Sequence, residues 1–184
     1  MAPAGSGWRD VDTLQVIVMG VSGCGKSTIA RELASTLGVE FVEGDELHPP
    51  ANVQRMAAGI PLTDHDRRDW LAAIGERLGA AHAAGRGLIV ACSALKRRYR
   101  DDLRQRAPGL KLVHLHGDPP LLAERLQGRS GHYMPPSLLP SQLQALEVPG
   151  ADEDALVLDI RMPPARILQE ALVGLAAQLK RSAA

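Results

Sequence analysis

Gly20-Val21-Ser22-Gly23-Cys24-Gly25-Lys26-Ser27-Thr28 satisfies the pattern G-x-x-x-x-G-K-[ST] in full. It follows the apolar run 14–19 directly and precedes a helix-compatible segment, 27–37. That is the context in which the pattern acts on phosphate. Glycines let successive backbone N–H groups turn toward one anion, and the positive end of the following helix adds to the field. Lys26 is then placed to reach the terminal phosphates, and the Ser27 hydroxyl to ligate Mg²⁺. The expected nucleoside triphosphate site comprises Gly20, Ser22, Gly23, Cys24, Gly25, Lys26, Ser27 and Thr28.

Other residues supply the parts that a phosphoryl acceptor needs. In Glu43-Gly44-Asp45-Glu46-Leu47-His48-Pro49-Pro50-Ala51-Asn52, Asp45 is the candidate carboxylate to orient an acceptor hydroxyl and take its proton. Two other roles fit the same position: holding a water on Mg²⁺, or capping the next helix. His48 and Asn52 can hydrogen-bond a polar substrate, or they punctuate a turn with the two prolines. In Thr63-Asp64-His65-Asp66-Arg67-Arg68, Arg67 falls in the first turn of a helix, where the dipole disfavours a cation unless an anion faces it. Lys96 follows an apolar run and is a second candidate for an acidic substrate. Arg125 and Arg129 are spaced i, i+4 and share one helix face. They are placed to brace a triphosphate and stabilise the transferring group. Pro163, in Arg161-Met162-Pro163-Pro164, falls where an adenine would lie.

These residues need a frame. Apolar runs at 14–19, 39–42, 87–92, 110–115 and 155–160 read as five strands. Segments 27–37, 67–84, 96–106, 119–127 and 163–180 carry apolar residues at helical spacing. Short Val/Ile/Leu strands alternating with helices predict an α/β domain, its parallel sheet covered on both faces. Ligands of such sheets bind at the carboxyl ends of the strands, where the candidate residues lie. Residues 127–140, rich in Gly, Pro, Ser and polar side chains, have the composition of a movable flap.

Length and composition narrow the classes. The 184 residues fit one domain, with 1–12 expected as a flexible tail and 13–184 as the folded unit. Twenty-one basic and twenty-one acidic residues cancel, which argues against a broad nucleic-acid or membrane-binding surface. The two cysteines, Cys24 and Cys92, read as reduced thiols. No apolar run approaches the ~20 residues of a membrane span, and the amino terminus lacks a signal-peptide pattern, so a cytoplasmic location is expected. Without Asn-Lys-x-Asp or Asp-x-x-Gly segments of a guanine switch, GTPase chemistry is disfavoured.

Six ordered blocks resemble the gluconokinase family: 20–27, 44–52, 56–71, 92–100, 125–134 and the run Leu138-Leu139-Pro140-Ser141-Gln142-Leu143-Gln144-Ala145-Leu146-Glu147-Val148-Pro149. The resemblance extends from about residue 14 to residue 179. It implies a P-loop kinase of the shikimate- and nucleoside-monophosphate-kinase-like fold. Such a kinase would use Mg-ATP to phosphorylate D-gluconate to 6-phosphogluconate, commonly as a homodimer, on the pentose phosphate route. Under that resemblance Lys26, Asp45, Arg125 and Arg129 are the catalytic set. Asp45, His48, Asn52, Arg67, Lys96 and His132 contact the substrate, and Ser27 holds the metal. Arg55 stands where the family has a lysine, and Arg68-Asp69 replaces a residue-then-proline pair before Trp70. The alternatives are a kinase of another small hydroxy acid, such as shikimate, and a non-catalytic ATP-binding regulator.

Overall fold

A computed structural model describes residues 11–128 and 134–182. Five strands, β1 (Gln15–Met19), β2 (Glu40–Glu43), β3 (Leu88–Ala91), β4 (Lys111–His116) and β5 (Leu156–Asp159), form one sheet. Every pairing is parallel, in the order β2-β3-β1-β4-β5. The five strands expected from the apolar runs are all present, each starting a residue late. Leu14 and Leu110 spend their amides on preceding turns, to Val11 (3.0 Å) and Ala107 (3.1 Å). Both are buried before the ladder begins.

Among the described residues seven helices accompany the sheet: α1 (Lys26–Leu37), α2 (Pro50–Ala57), α3 (Arg68–Ala83), α4 (Arg97–Arg106), α5 (Pro119–Gln127), α6 (Leu139–Ala145) and α7 (Pro164–Ser182). All five residues of β1 are buried, and their alternation feeds two cores. Val16 and Val18 join Ile29, Leu33 and Ala34 of α1 and Ile167, Ala171 and Leu175 of α7. Ile17 and Met19 join Trp70, Ile74 and Leu78 of α3 and Leu103 of α4. Each such aliphatic side chain contributes about 1.5–3 kcal/mol on burial. Two-sided burial is what makes the strands read as unbroken apolar runs.

Two helices lie outside the sequence expectation. In α2 the pair Pro49-Pro50 reads as a turn, yet Pro50 occupies the first helical position, where its missing N–H costs nothing. Pro140 sits likewise in the first turn of α6. Both helices have at most eight residues, too short to show an apolar stripe. The carboxyl end of the expected flap, 127–140, is packed rather than free. Residues 129–133 lie outside the described residues, but Leu138 and Leu139 are buried, Leu138 packing with Met56 and Leu62. The expected tail, 1–12, is described only from Val11, which opens a 3₁₀ turn, Val11–Thr13.

The sheet order positions the site. β1 lies between β3 and β4, so the chain leaves its carboxyl end at the crevice where the winding reverses. The connections after β1, β2 and β3 meet there. The long segment after α6 crosses back over α4, with Glu147 N–H bonded to Leu95 O (2.8 Å) and its carboxylate accepting from Arg97 N–H (2.7 Å). That carboxylate serves an amino-terminal amide of α4 that the helix itself cannot satisfy. Among the described residues no helix is long and apolar enough to cross a membrane.

Candidate active site

The loop after β1 is shaped by glycine where no other residue fits. Gly20 has φ of 143°, and a Cβ there would stand 2.6 Å from the Leu115 carbonyl oxygen and 2.7 Å from Cys24 Sγ. Gly25, with φ of 90°, precedes α1 without a side-chain cap, so the first-turn amides remain for an anion. Ser22, Gly23, Gly25, Lys26, Ser27 and Thr28 line a cavity of about 340 Å³. Gly20 and Cys24 stand behind it. Cys24 is buried, and burial pushes its thiol pKa up. Cys92, also buried, is pushed up to about 12, so both thiols stay protonated. Lys26 Nζ donates to the Val21 carbonyl at 3.2 Å.

The same cavity is also lined by residues from the connection after β2. Asp45 sits in the 3₁₀ turn Gly44–Leu47 that follows β2. Two contacts hold that turn. Gly44 lies so close to β3 that a Cβ would collide with the Ala91 carbonyl oxygen. Trp70 Nε1 donates to the Gly44 carbonyl at 2.8 Å. Trp70 also stacks on His48, with ring centroids 4.3 Å apart and planes 10° from parallel. The side chain that reads as core is thus also the support of that turn. Burial lowers the His48 pKa to about 4, keeping the ring neutral, and its buried Nδ1 has no partner among the described residues. Asp45, His48, Arg67, Trp70 and Ser93 line the same cavity as the phosphate loop, and Arg125 and Gly128 close another side.

Charge is distributed unequally among the expected cations. Arg67, at the N-cap of α3, has no carboxylate partner among the described residues. Arg125 donates to the Ile160 carbonyl at 2.8 Å and has no ion-pair partner among the described residues. Lys96, by contrast, is committed to Asp64 at 2.9 Å, and Arg98 and Tyr99 bond the same carboxylate. Lys96 does not line the cavity. The departing Arg55 pairs with Asp66 at 3.8 Å.

Asn52 is also spent elsewhere. It is buried, and its Nδ2 donates to the Asp66 carbonyl at 2.6 Å, tying α2 to the turn that carries Arg67. Pro163 lies outside the cavity, where its carbonyl accepts from Arg166 and Ile167 as α7 begins. Arg129 and His132 lie outside the described residues.

Two residues that the motifs and their spacing do not single out join the site. Glu43 ends β2 beside Ser27, and burial pushes its pKa up. Its place at a strand's carboxyl end was the available signal. Gln142 of α6 accepts a hydrogen bond from the Ser22 backbone N–H at 2.7 Å, across 120 residues of chain. No local pattern announces such a contact.

The arrangement is a phosphate-binding loop facing a carboxylate, a neutral imidazole and an unpaired guanidinium across one small cavity. Comparison with known proteins agrees with it. A family described as an AAA domain matches residues 16–149. The chain is 51% identical over 155 residues to a gluconokinase of Gluconobacter oxydans, covering 84% of this chain and 87% of that one. It is 44% identical over 148 residues to the thermoresistant gluconokinase of Escherichia coli, covering 80% and 85%. A crystal structure of a gluconokinase from Sinorhizobium meliloti superposes with a TM-score of 0.84 at 49% identity, covering 94% of this chain and 98% of that one. At 16% identity, an APS kinase of Mycobacterium tuberculosis, covering 89% and 98%, shares the fold with a TM-score of 0.61. With a phosphate loop after its first strand and relatives this near in sequence and shape, the chain belongs to the gluconokinase family of P-loop kinases.

Proposed function

We propose that this protein transfers the terminal phosphoryl group of ATP to the C6 hydroxyl of D-gluconate, giving 6-phospho-D-gluconate and ADP. The observation that carries the reading is that Asp45 and the unpaired Arg67 line the same cavity as Lys26 and the loop amides. Gluconate has a carboxylate at one end and the accepting hydroxyl at the other. Arg67 suits the carboxylate, by paired charge-assisted hydrogen bonds. Neutral His48 offers its Nδ1 to a chain hydroxyl. Asp45 orients the C6 hydroxyl and takes its proton as the oxygen attacks phosphorus and the bond to ADP breaks. Lys26 and Arg125, with Arg129, stabilise the charge on the transferring group.

Ser27, with the carboxylates of Glu43 and Asp45 near by, is an all-oxygen donor set. Such a set suits Mg²⁺, which takes one or two carboxylates and completes its shell with water and phosphate. Among the described residues no group of three or more His, Cys, Asp or Glu could hold a metal. Bound with nucleotide, Mg²⁺ would neutralise phosphate charge. The family resemblance further supports a cytoplasmic homodimer supplying the pentose phosphate route.

A coupled ADP-release assay tests the reading with Mg-ATP and a panel of D-gluconate, shikimate, other sugar acids and nucleoside monophosphates. Gluconate-dependent release is expected. Turnover with a different acid alone would move the substrate, and silence across the panel with ATP still bound would refute the enzyme.

A further inference from the structure

Gln142 reaches the phosphate loop from α6, its Oε1 2.7 Å from the Ser22 backbone nitrogen. A backbone amide can only donate, so this contact decides which end of the carboxamide is oxygen. The NH₂ end therefore points away from Ser22, and it lies 2.9 Å from Met134 Sδ. A thioether is a weak acceptor. A good neutral donor is thus held in one direction against a partner that gives it little.

Its support is firm and its place is specific. Leu139, in the first turn of α6, is buried, and Ser141 Oγ bonds the Leu138 carbonyl at 2.8 Å. Gln142 lines the cavity with Lys26, Asp45 and Arg125. Ser22 is itself buried and adjoins Gly23, and both line the cavity with Gln142. An anionic phosphoryl oxygen accepts a hydrogen bond more strongly than a sugar hydroxyl. In the transition state the transferring group spreads charge over three equatorial oxygens, more than Lys26 alone can serve.

Building on the kinase reading above, we propose that Gln142 is a further catalytic residue, donating from Nε2 to a terminal phosphoryl oxygen of ATP while Oε1 stays on the Ser22 N–H. Oε1 fixes the direction of the carboxamide, and the phosphoryl oxygen replaces Met134 sulfur as acceptor. A preformed donor of this kind is worth about 10²–10³ in kcat.

Two near-isosteric replacements remove the donor in different ways. Gln142→Glu keeps an oxygen for the Ser22 N–H but replaces the donor with an acceptor. Gln142→Met removes the donor and the Ser22 acceptor together, without adding charge. Calorimetry without any acceptor gives the affinities for ADP and for a non-hydrolysable ATP analogue. For both variants ADP affinity should stay within about threefold of the parent, while the preference for the analogue over ADP falls at least tenfold. The kcat with gluconate should fall about 10²–10³-fold, with melting temperatures unchanged. Retention of both the preference and kcat within threefold by either variant would overturn the proposal and leave Gln142 a loop anchor. A rise in gluconate KM alone, with the nucleotide preference intact, would also overturn it, by placing the donor on the acceptor. The nucleotide preference is measurable even if the wild-type protein proves silent with gluconate, so failure of the substrate reading stands apart from failure of this one.

Discussion

Removing the Glu153 carboxylate should destabilise this protein more than removing any exposed charge. Its side chain is 1% exposed, and that of Arg100 is 0% exposed. Arg100 donates to it through Nε and Nη2, both at 2.7 Å, Arg104 adds Nη1 and Nη2 at 3.0 Å, and the Gly150 amide a further bond at 3.2 Å. Glu153→Ala leaves a buried guanidinium with only the Ala94 and Leu95 carbonyls as acceptors. Breaking a buried pair from one side costs about 3–5 kcal/mol, because the remaining charge stays desolvated. Against a total stability of about 5–15 kcal/mol that is a large fraction. At about 2–4 °C per kcal/mol for a domain of this length, the melting temperature should fall by about 6–20 °C.

Urea titration and thermal melting measure the loss directly. The double replacement Arg100→Met with Glu153→Leu should recover much of it, since an apolar pair of similar volume carries no desolvation cost. The pH dependence has a definite sign. Arg100, followed by Arg104, holds the Glu153 pKa at about 2, below its ordinary 4.5. The stabilisation is therefore complete above pH 4.5 and is lost as pH falls toward 2. A Glu153→Ala protein melting within 2 °C of the parent would refute the reasoning. Activity should suffer below the melting point as well. Arg100 Nη1 fixes the loop after β3, where Ala94 holds φ of 40° and Ser93 and Leu95 line the cavity.

Three other perturbations address the site. Asp45→Asn should lower kcat by about 10²–10⁴ while leaving ATP affinity within a few fold; unchanged turnover would remove Asp45 from the chemistry. Arg67→Ala should raise the gluconate KM about tenfold to a hundredfold, the equivalent of losing charge-assisted hydrogen bonds of about 1.5–3 kcal/mol, whereas Lys96→Ala should change it less than threefold. Equal effects of the two would refute the assignment of the carboxylate to Arg67. His48 and His114 are both pushed down to about 4 by burial. Between pH 6.5 and 4 the unfolded chain takes up their protons and the folded chain does not, so stability declines with falling pH by about 1.4 kcal/mol per unit for each histidine. His48→Phe, which retains an aromatic ring on Trp70, should remove about half of that slope in urea unfolding.

What the sequence disclosed follows from the range of the forces involved. The phosphate loop is legible because its function lies in the main chain, and main-chain geometry writes itself as glycines at fixed spacing. The place of Asp45 in the cavity wall is legible because it follows the carboxyl end of a strand, where parallel sheets open their crevice. Lys96 reads as a substrate contact only until its partner is seen, and Asp64 is 32 residues away. Asn52 fails in the same manner, drawn to a carbonyl 14 residues on. The role of Trp70 in holding Gly44 depends on a hydrogen bond across 26 residues, and that of Gln142 on one across 120. Periodicity reveals which side chains are buried. It does not reveal which polar groups meet once they are.

The neutral total charge shows the same limit from the other side. Arg55, Lys96, Arg97, Arg98, Arg100 and Arg104 are each matched to a carboxylate outside the cavity, and Asp64 alone collects two of them. Lys26, Arg67 and Arg125 remain, lining the cavity without an ion-pair partner among the described residues. Their field is opposed within the wall by Asp45, and behind Ser27 by Glu43. An anionic nucleotide and an anionic sugar acid would each find uncancelled positive charge there, although the chain as a whole carries none. The local charge of the cavity is thus decided by which arginines the fold has already neutralised.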